Sequence, residues 1–307
     1  MKMDLLSVVM LLALVLTGCN EGPKEMTAAD RARRILSEDK STVSLTPDEL
    51  RRRLGTNEMA TFLMSGNDIV EANLYQSGIR SIEGLKGLPL RSIDLGFTKV
   101  TDLSPLKDMK LESLVLENTM VSDLSVIGDM PLKVLMLQNT KVTDFSVLKK
   151  LYLRELNLLN LPFADTTLLA HMPLESLWLD GTQIASLISV PAKDLISLNL
   201  SRTSVSDLTP VSGMVSLRRL NIADTPVTDL TPLKGLRLER IVLTPQRIRS
   251  GMEVLREMES LVLIQTDVQQ QQAASEFWKR YDLGLMKPES AEPPAGTSEP
   301  QSDESNK

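Results

Sequence analysis

Cysteine and histidine occur once each in this 307-residue chain, and aromatic residues make up only 3% of it. With Cys19 alone, no internal disulfide can form, so stability must come from packing. With one histidine, His171, and one cysteine, no His/Cys metal cluster can be assembled. His171 stands beside Met172-Pro173, where a lone histidine reads as a packed or surface residue. No G-x-S-x-G, no phosphate-cradling G-x-x-x-x-G-K and no kinase catalytic loop is present. Carboxylate pairs are numerous, but any acidic chain offers them and they discriminate nothing. Neither catalysis, nor a cofactor, nor a metal is expected. A net charge of −6, without a basic patch interleaved with aromatics, argues against a nucleic-acid partner.

The N-terminal apolar run, Leu5 to Leu16, is too short to span a bilayer, for which a helix needs about 20 residues. Its length suits the apolar core of a secretory signal, with Asp4 offsetting Lys2 at a weakly positive start. The run ends in Leu16-Thr17-Gly18-Cys19, which resembles the bacterial lipoprotein signal. That resemblance implies lipidation of Cys19, which would become the new N-terminus and anchor the protein to a membrane of the cell envelope. Asn20 is not the Asp associated with inner-membrane retention, so the outer membrane is favoured. Residues 1–18 are then a signal peptide and residues 19–45 a polar tether. Residues 286–307, rich in Pro, Ser and Glu, cannot bury enough surface to offset their ordering entropy and are expected to be disordered.

Between these ends the chain repeats. From Ile69 it advances in steps of 21 residues through Leu90, Leu111, Leu132, Leu153, Leu174 and Leu195, then to Leu217 and Leu238, with a ragged return at Leu261. The shared template is L-x-x-L-x-L-x-x-T-x-V-x-D-L-S-P-L-x-x-M-x, in about nine copies over residues 69–260. Leu114-Val115-Leu116 has a period of two, so a short strand puts both leucines on one face. Leu103, Leu106 and Met109 are spaced by three, which suits a 3₁₀ turn, and Ser104-Pro105 looks like a capping hydroxyl before a Pro. One such coil cannot bury its leucines, whereas a stack of them forms a continuous core.

Two polar columns run through the template. Thr98, Thr119, Thr140, Thr182, Thr203 and Thr225 should point inward, each hydroxyl bonded to the backbone of the adjacent coil. Asp102, Asp123, Asp144, Asp165, Asp207 and Asp229 could line up for calcium, but one carboxylate per coil is sparse for that ion. An Asx-type turn before each 3₁₀ segment is the better account.

An open stack needs covered ends. Thr46-Pro47-Asp48-Glu49 is a capping box opening a helix that Gly55 stops, and a second short helix with Phe62 and Leu63 would complete a cap over residues 46–68. At the far end, Ser250 could cap a helix through Met258. Within residues 261–285, the segment AASEFWKRYDLG reads as a last helix whose Phe277, Trp278 and Tyr281 cover the final coil.

The template resembles the leucine-rich repeat, with Thr where the commoner repeat carries Asn. LTPDELRRRLGTN, the DLSPL returns and LTPQRIRSGMEVLREMESL are similar to leucine-rich-repeat regions joined to bacterial serine/threonine protein kinases. A looser likeness to internalins rests on the repeat itself. The resemblance implies an α/β repeat: a solenoid with a concave parallel sheet, a 3₁₀ and loop convex side, and a helical cap at each end. It implies no kinase activity, since the kinase portion is absent.

Function must then lie in the residues that vary. Between the leucines, Val115, Met136, Leu159 and Trp178 should face outward on the concave side, with Glu117, Glu155 and Asp180 beside them. An apolar cluster rimmed by acids suits a protein-binding patch, with Trp as a favoured anchor and a partner carrying basic residues. Around it, Leu161 replaces Thr, Thr166 replaces Leu and Lys193 replaces Met or Leu. The expectation is a monomeric, lipid-anchored binding protein, against the competing expectation of a structural or self-associating envelope component.

Overall fold

The computed structural model describes residues 45–266 and 272–286; the expected signal peptide, Cys19, the tether and nearly all of the C-terminal tail lie outside the described residues. Helix α1, Pro47–Leu54, opens as its sequence dictates. Glu49 N donates to Thr46 Oγ1 at 3.2 Å while the Glu49 carboxylate accepts from Thr46 N at 3.0 Å. Gly55, at φ 61°, ends the helix in the left-handed region, and Leu50 anchors it with full burial.

The second N-terminal helix does not form. Thr61–Ser65 is instead strand β1, which turns through Gly66 (φ 62°) and pairs antiparallel with β2, Asp68–Asn73. The reason is the alternation of the segment, which leaves Phe62 packed on the core and Leu63 exposed. As a strand it also satisfies the backbone of β2, which a helix lying over that edge would leave unpaired.

Nine further strands follow in chain order: β3 Ser92–Asp94, β4 Ser113–Val115, β5 Val134–Met136, β6 Glu155–Asn157, β7 Ser176–Trp178, β8 Ser197–Asn199, β9 Arg219–Asn221, β10 Arg240–Val242 and β11 Leu263–Gln265. They form one sheet in sequence order, and every pair from β2 to β11 is parallel. The middle residue of each, as in Ile93, Leu114, Leu135, Leu156, Leu177 and Leu198, is buried in a single continuous core. Strand β11 lies inside the segment expected to be the C-terminal cap. The ragged spacing before Leu261 therefore stretches the repeat without ending it.

The Thr column is buried as expected, but its bonding differs. Thr98, Thr119, Thr140, Thr182, Thr203 and Thr225 donate to the carbonyl three residues earlier in their own coil, at 2.6–2.8 Å, not to the adjacent coil. Each hydroxyl closes the bend that leaves its strand. The Asp column forms Asx turns: Asp102, Asp123, Asp144, Asp165, Asp207 and Asp229 accept from the backbone N–H two residues on, at 2.7–3.0 Å. Ser104 thus donates to Asp102 and does not cap the 3₁₀ turn, whose own N-cap is Leu103 without a side-chain bond. In the coil from Leu174, Ser186 replaces the Asp with a long contact of 3.4 Å from Ile188 N, and no 3₁₀ helix is formed there. A weaker acceptor holds that turn less firmly.

At the far end, Ser250 does not cap helix α2, Met252–Arg256; its hydroxyl donates to Asp229 at 2.8 Å. Gly251 is the N-cap, at φ 83°, and a Cβ there would lie 2.5 Å from Thr231 N. Only glycine lets the chain pass so close to the preceding coil. Helix α3, Ala274–Asp282, covers the last coil as expected, with Phe277 fully buried and Trp278 and Tyr281 packed on the core. Arg256 lies over the Trp278 ring at 4.4 Å and pairs with Asp282. Among the described residues, no helix is long and apolar enough to cross a membrane.

Candidate functional site: the exposed face of the sheet

In each strand the residues flanking the buried leucine point away from the core. In the parallel register Asp94, Val115, Met136, Asn157, Trp178, Asn199, Asn221 and Val242 become neighbours in one row across the sheet. Val115 and Met136 are direct register partners, but Asn157 separates Met136 from Trp178, which are therefore about 10 Å apart at ordinary strand spacing. Leu159 stands beside that gap, two residues beyond Asn157, and donates its N–H to the Asn157 Oδ1 at 3.0 Å. All four apolar side chains are half-buried. The structure thus gathers the expected apolar residues on one face, with a polar Asn in their midst.

The acids behave differently from the open rim that the sequence suggests. Glu117 accepts from Gln138 Nε2 at 2.6 Å, and Asp180 accepts from Arg202 Nε at 2.7 Å. Glu155, between Val134 and Ser176, makes no ion pair among the described residues. Further towards the N-terminal end, burial pushes the Asp94 carboxyl up from its ordinary value, opposed by the Gly96 N–H that it accepts. Gly96 leaves room there for Tyr75, which packs edge-on against Phe97 at 5.2 Å.

Three features escaped the sequence reading. One is the first outward position of each strand, which reads Ser92, Ser113, Val134, Glu155, Ser176, Ser197, Arg219 and Arg240. The two arginines put positive charge on the C-terminal part of the face, where, among the described residues, the outward rows beyond Asp180 carry no carboxylate. A second is the residue after each strand's end: Asn118, Asn139 and Asn160 all take φ of 53–60°, and their amides link coil to coil at 3.2 and 2.8 Å. Asn tolerates the left-handed region, which is the signal that could have revealed the turn. The third is a row of ion pairs between coils, Glu112 with Lys133 and Arg154 with Glu175, placed just ahead of the strands. His171 lies outside the sheet's face, its Nε2–H donating to the Leu151 carbonyl at 2.9 Å and its ring packed edge-on against Tyr152. Among the described residues no cluster of three or more metal-ligating side chains occurs.

Solved structures share this arrangement. An internalin, inlF, from Listeria monocytogenes is 26% identical with a TM-score of 0.56, over 62% of this chain and 59% of that one. Internalin C2, inlC2, from the same organism is 24% identical at 0.56, over 66% of this chain and 93% of its own. The fold is a leucine-rich-repeat solenoid. The ectodomain of the plant receptor kinase GASSHO1/SCHENGEN3 from Arabidopsis thaliana, solved in complex with CASPARIAN STRIP INTEGRITY FACTOR 2, shares this fold at 16% identity and a TM-score of 0.52, over 74% of this chain and 33% of its own. No protein-family model and no curated protein matches the sequence. The match spans 59% of the inlF chain, less than two thirds of its length.

Proposed function

We propose that this protein is a lipid-anchored, non-catalytic leucine-rich-repeat protein of the bacterial envelope that binds another protein through the concave face of its sheet. The observation that carries this reading is the placement of Val115, Met136, Leu159 and Trp178. Large apolar side chains stand only half-buried on one face of a sheet whose core is already filled by its own leucines. Such groups gain most when a partner covers them, and Trp is among the side chains that dominate binding energy. The GASSHO1/SCHENGEN3 ectodomain, with a factor bound, shows that this architecture is used for protein complexes elsewhere. The lipoprotein-like ending at Cys19 supports attachment at the envelope, and Asn20 favours the outer membrane. The caps and DLSPL returns support kinship with repeats joined to bacterial kinases, here without the kinase.

The test uses the chain from residue 20, immobilised without lipid and exposed to envelope extract, beside a Leu159→Asp, Trp178→Ala variant of equal thermal stability. Proteins held by the native chain and released by the variant support the reading. Identical sets from both refute it and favour a self-associating structural role. Labelling cells with a fatty-acid analogue, with a Cys19→Ser control, tests the anchor separately.

A further inference from the structure

We propose that the C-terminal half of the concave face is a carboxylate-binding site, in which Arg219 and Arg240 grip an aspartate or glutamate of an acidic segment of the protein partner. This rests on the concave-face reading and names the chemistry that one part of the face selects. The sheet register makes Arg219 and Arg240 direct neighbours on β9 and β10. At ordinary strand spacing, about 4.8 Å, two guanidinium groups can close on one carboxylate. With Trp178, Asn199, Asn221 and Val242 they line a cavity of about 140 Å³ open to the sheet face.

The arginines are not explained by the fold. Three neighbouring arginines do have partners: Arg202 holds Asp180, Arg218 faces Glu239 at 4.0 Å, and Arg247 donates to the Thr225 carbonyl. Among the described residues Arg219 and Arg240 meet neither carboxylate nor hydrogen-bond acceptor, and the Arg240 Nε is buried without a partner. A buried guanidinium donor left unpaired is costly, and a ligand oxygen is what would satisfy it. Among the described residues no acid in the outward rows competes, because beyond Asp180 they run Ser197, Asn199, Ser201, Asn221, Ala223, Val242 and Thr244. An arginine fork matches a carboxylate with paired N–H···O bonds, a geometry that a lysine or a neutral donor does not reproduce. Trp178 forms the opposite wall, so the residue next to the acid would be apolar or aliphatic.

The probe is N-acetyl-Leu-Glu-amide, titrated into the isotope-labelled chain from residue 20 and followed by the arginine Nε–H and tryptophan indole resonances. Its amide counterpart, N-acetyl-Leu-Gln-amide, is the control. The expected result is saturable movement of the Arg240 and Trp178 signals with the Glu peptide, at least ten-fold weaker with the Gln peptide. The same weakening is expected in an Arg219→Gln, Arg240→Gln variant that melts at the native temperature. Equal response to both peptides, or an unchanged response in the variant, overturns the proposal. A response that appears only after removal of residues 287–307, which carry Glu289, Glu292, Glu299, Asp303 and Glu304, also overturns it, because the chain's own tail would then be the occupant. If these fail while extract proteins still depend on Leu159 and Trp178, the carboxylate site alone falls and the binding face stands.

Discussion

The guanidinium of Arg202 reaches Asn160 two coils away, donating to its Oδ1 at 3.2 Å while also holding Asp180 at 2.7 Å. It passes over Gly181, the intervening member of the left-handed column, where a Cβ would sit 2.6 Å from that same Asn160 oxygen. Gly181 is itself at φ 67°. Gly181→Ala therefore imposes both a left-handed alanine and a displaced Asn160, and should lower stability by about 1–3 kcal/mol. Urea unfolding followed by circular dichroism measures this as a lower midpoint at unchanged slope. Gly181→Asn, which tolerates the conformation, should cost less than alanine if backbone strain dominates.

The two kinds of buried column residue should differ sharply in value. Thr119→Val removes a hydroxyl whose acceptor, the Leu116 carbonyl, keeps the Thr119 N–H at 3.2 Å. The expected loss is about 1 kcal/mol. Leu135→Ala empties a fully buried position between two neighbouring coils and should cost about 2–5 kcal/mol. Paired chemical melts of the two variants check the order; equal losses would mean that the Thr column is more than a local turn closure.

Much of this was legible in the sequence because a solenoid writes the same constraint once per coil. The period, the strand position, the buried leucines, the first capping box and the aromatic cover at Phe277 all follow from patterns within one coil. What was not legible depends on contacts between coils or on edges. Asp180 reads as a free rim acid until Arg202, 22 residues later, is laid beside it. Arg219 and Arg240 look like ordinary surface residues until the register makes them neighbours. Thr61–Ser65 becomes a strand because the first edge of the sheet needs a partner, a demand no single-segment pattern contains.

The Asp column predicts a specific acid response. Backbone N–H groups hold Asp102, Asp123, Asp144 and Asp229 below the ordinary carboxylate range, and the Thr hydroxyls do so first at Asp165 and Asp207. A depressed folded-state value contributes stability that is present above the unfolded value, about 3.9, and is lost as pH falls through the depressed one. Asp94, raised by burial, acts oppositely: its contribution is present below the unfolded value and is lost as pH rises through its folded one. Melting temperature should therefore drop on acidification, and replacing Asp123 and Asp144 by Asn should flatten that drop while Asp94→Asn steepens it. A pH series of thermal melts decides this.

The central claim is that the concave face, and not the convex returns, meets the partner. A photo-crosslinking amino acid placed at Leu159, on the face, is compared in living cells with one at Ile188, which is 83% exposed in the return segment of the following coil. The account predicts a discrete protein adduct from position 159, absent at 188, and reduced when Trp178→Ala is added. Adducts from position 188 with none from 159 would contradict it.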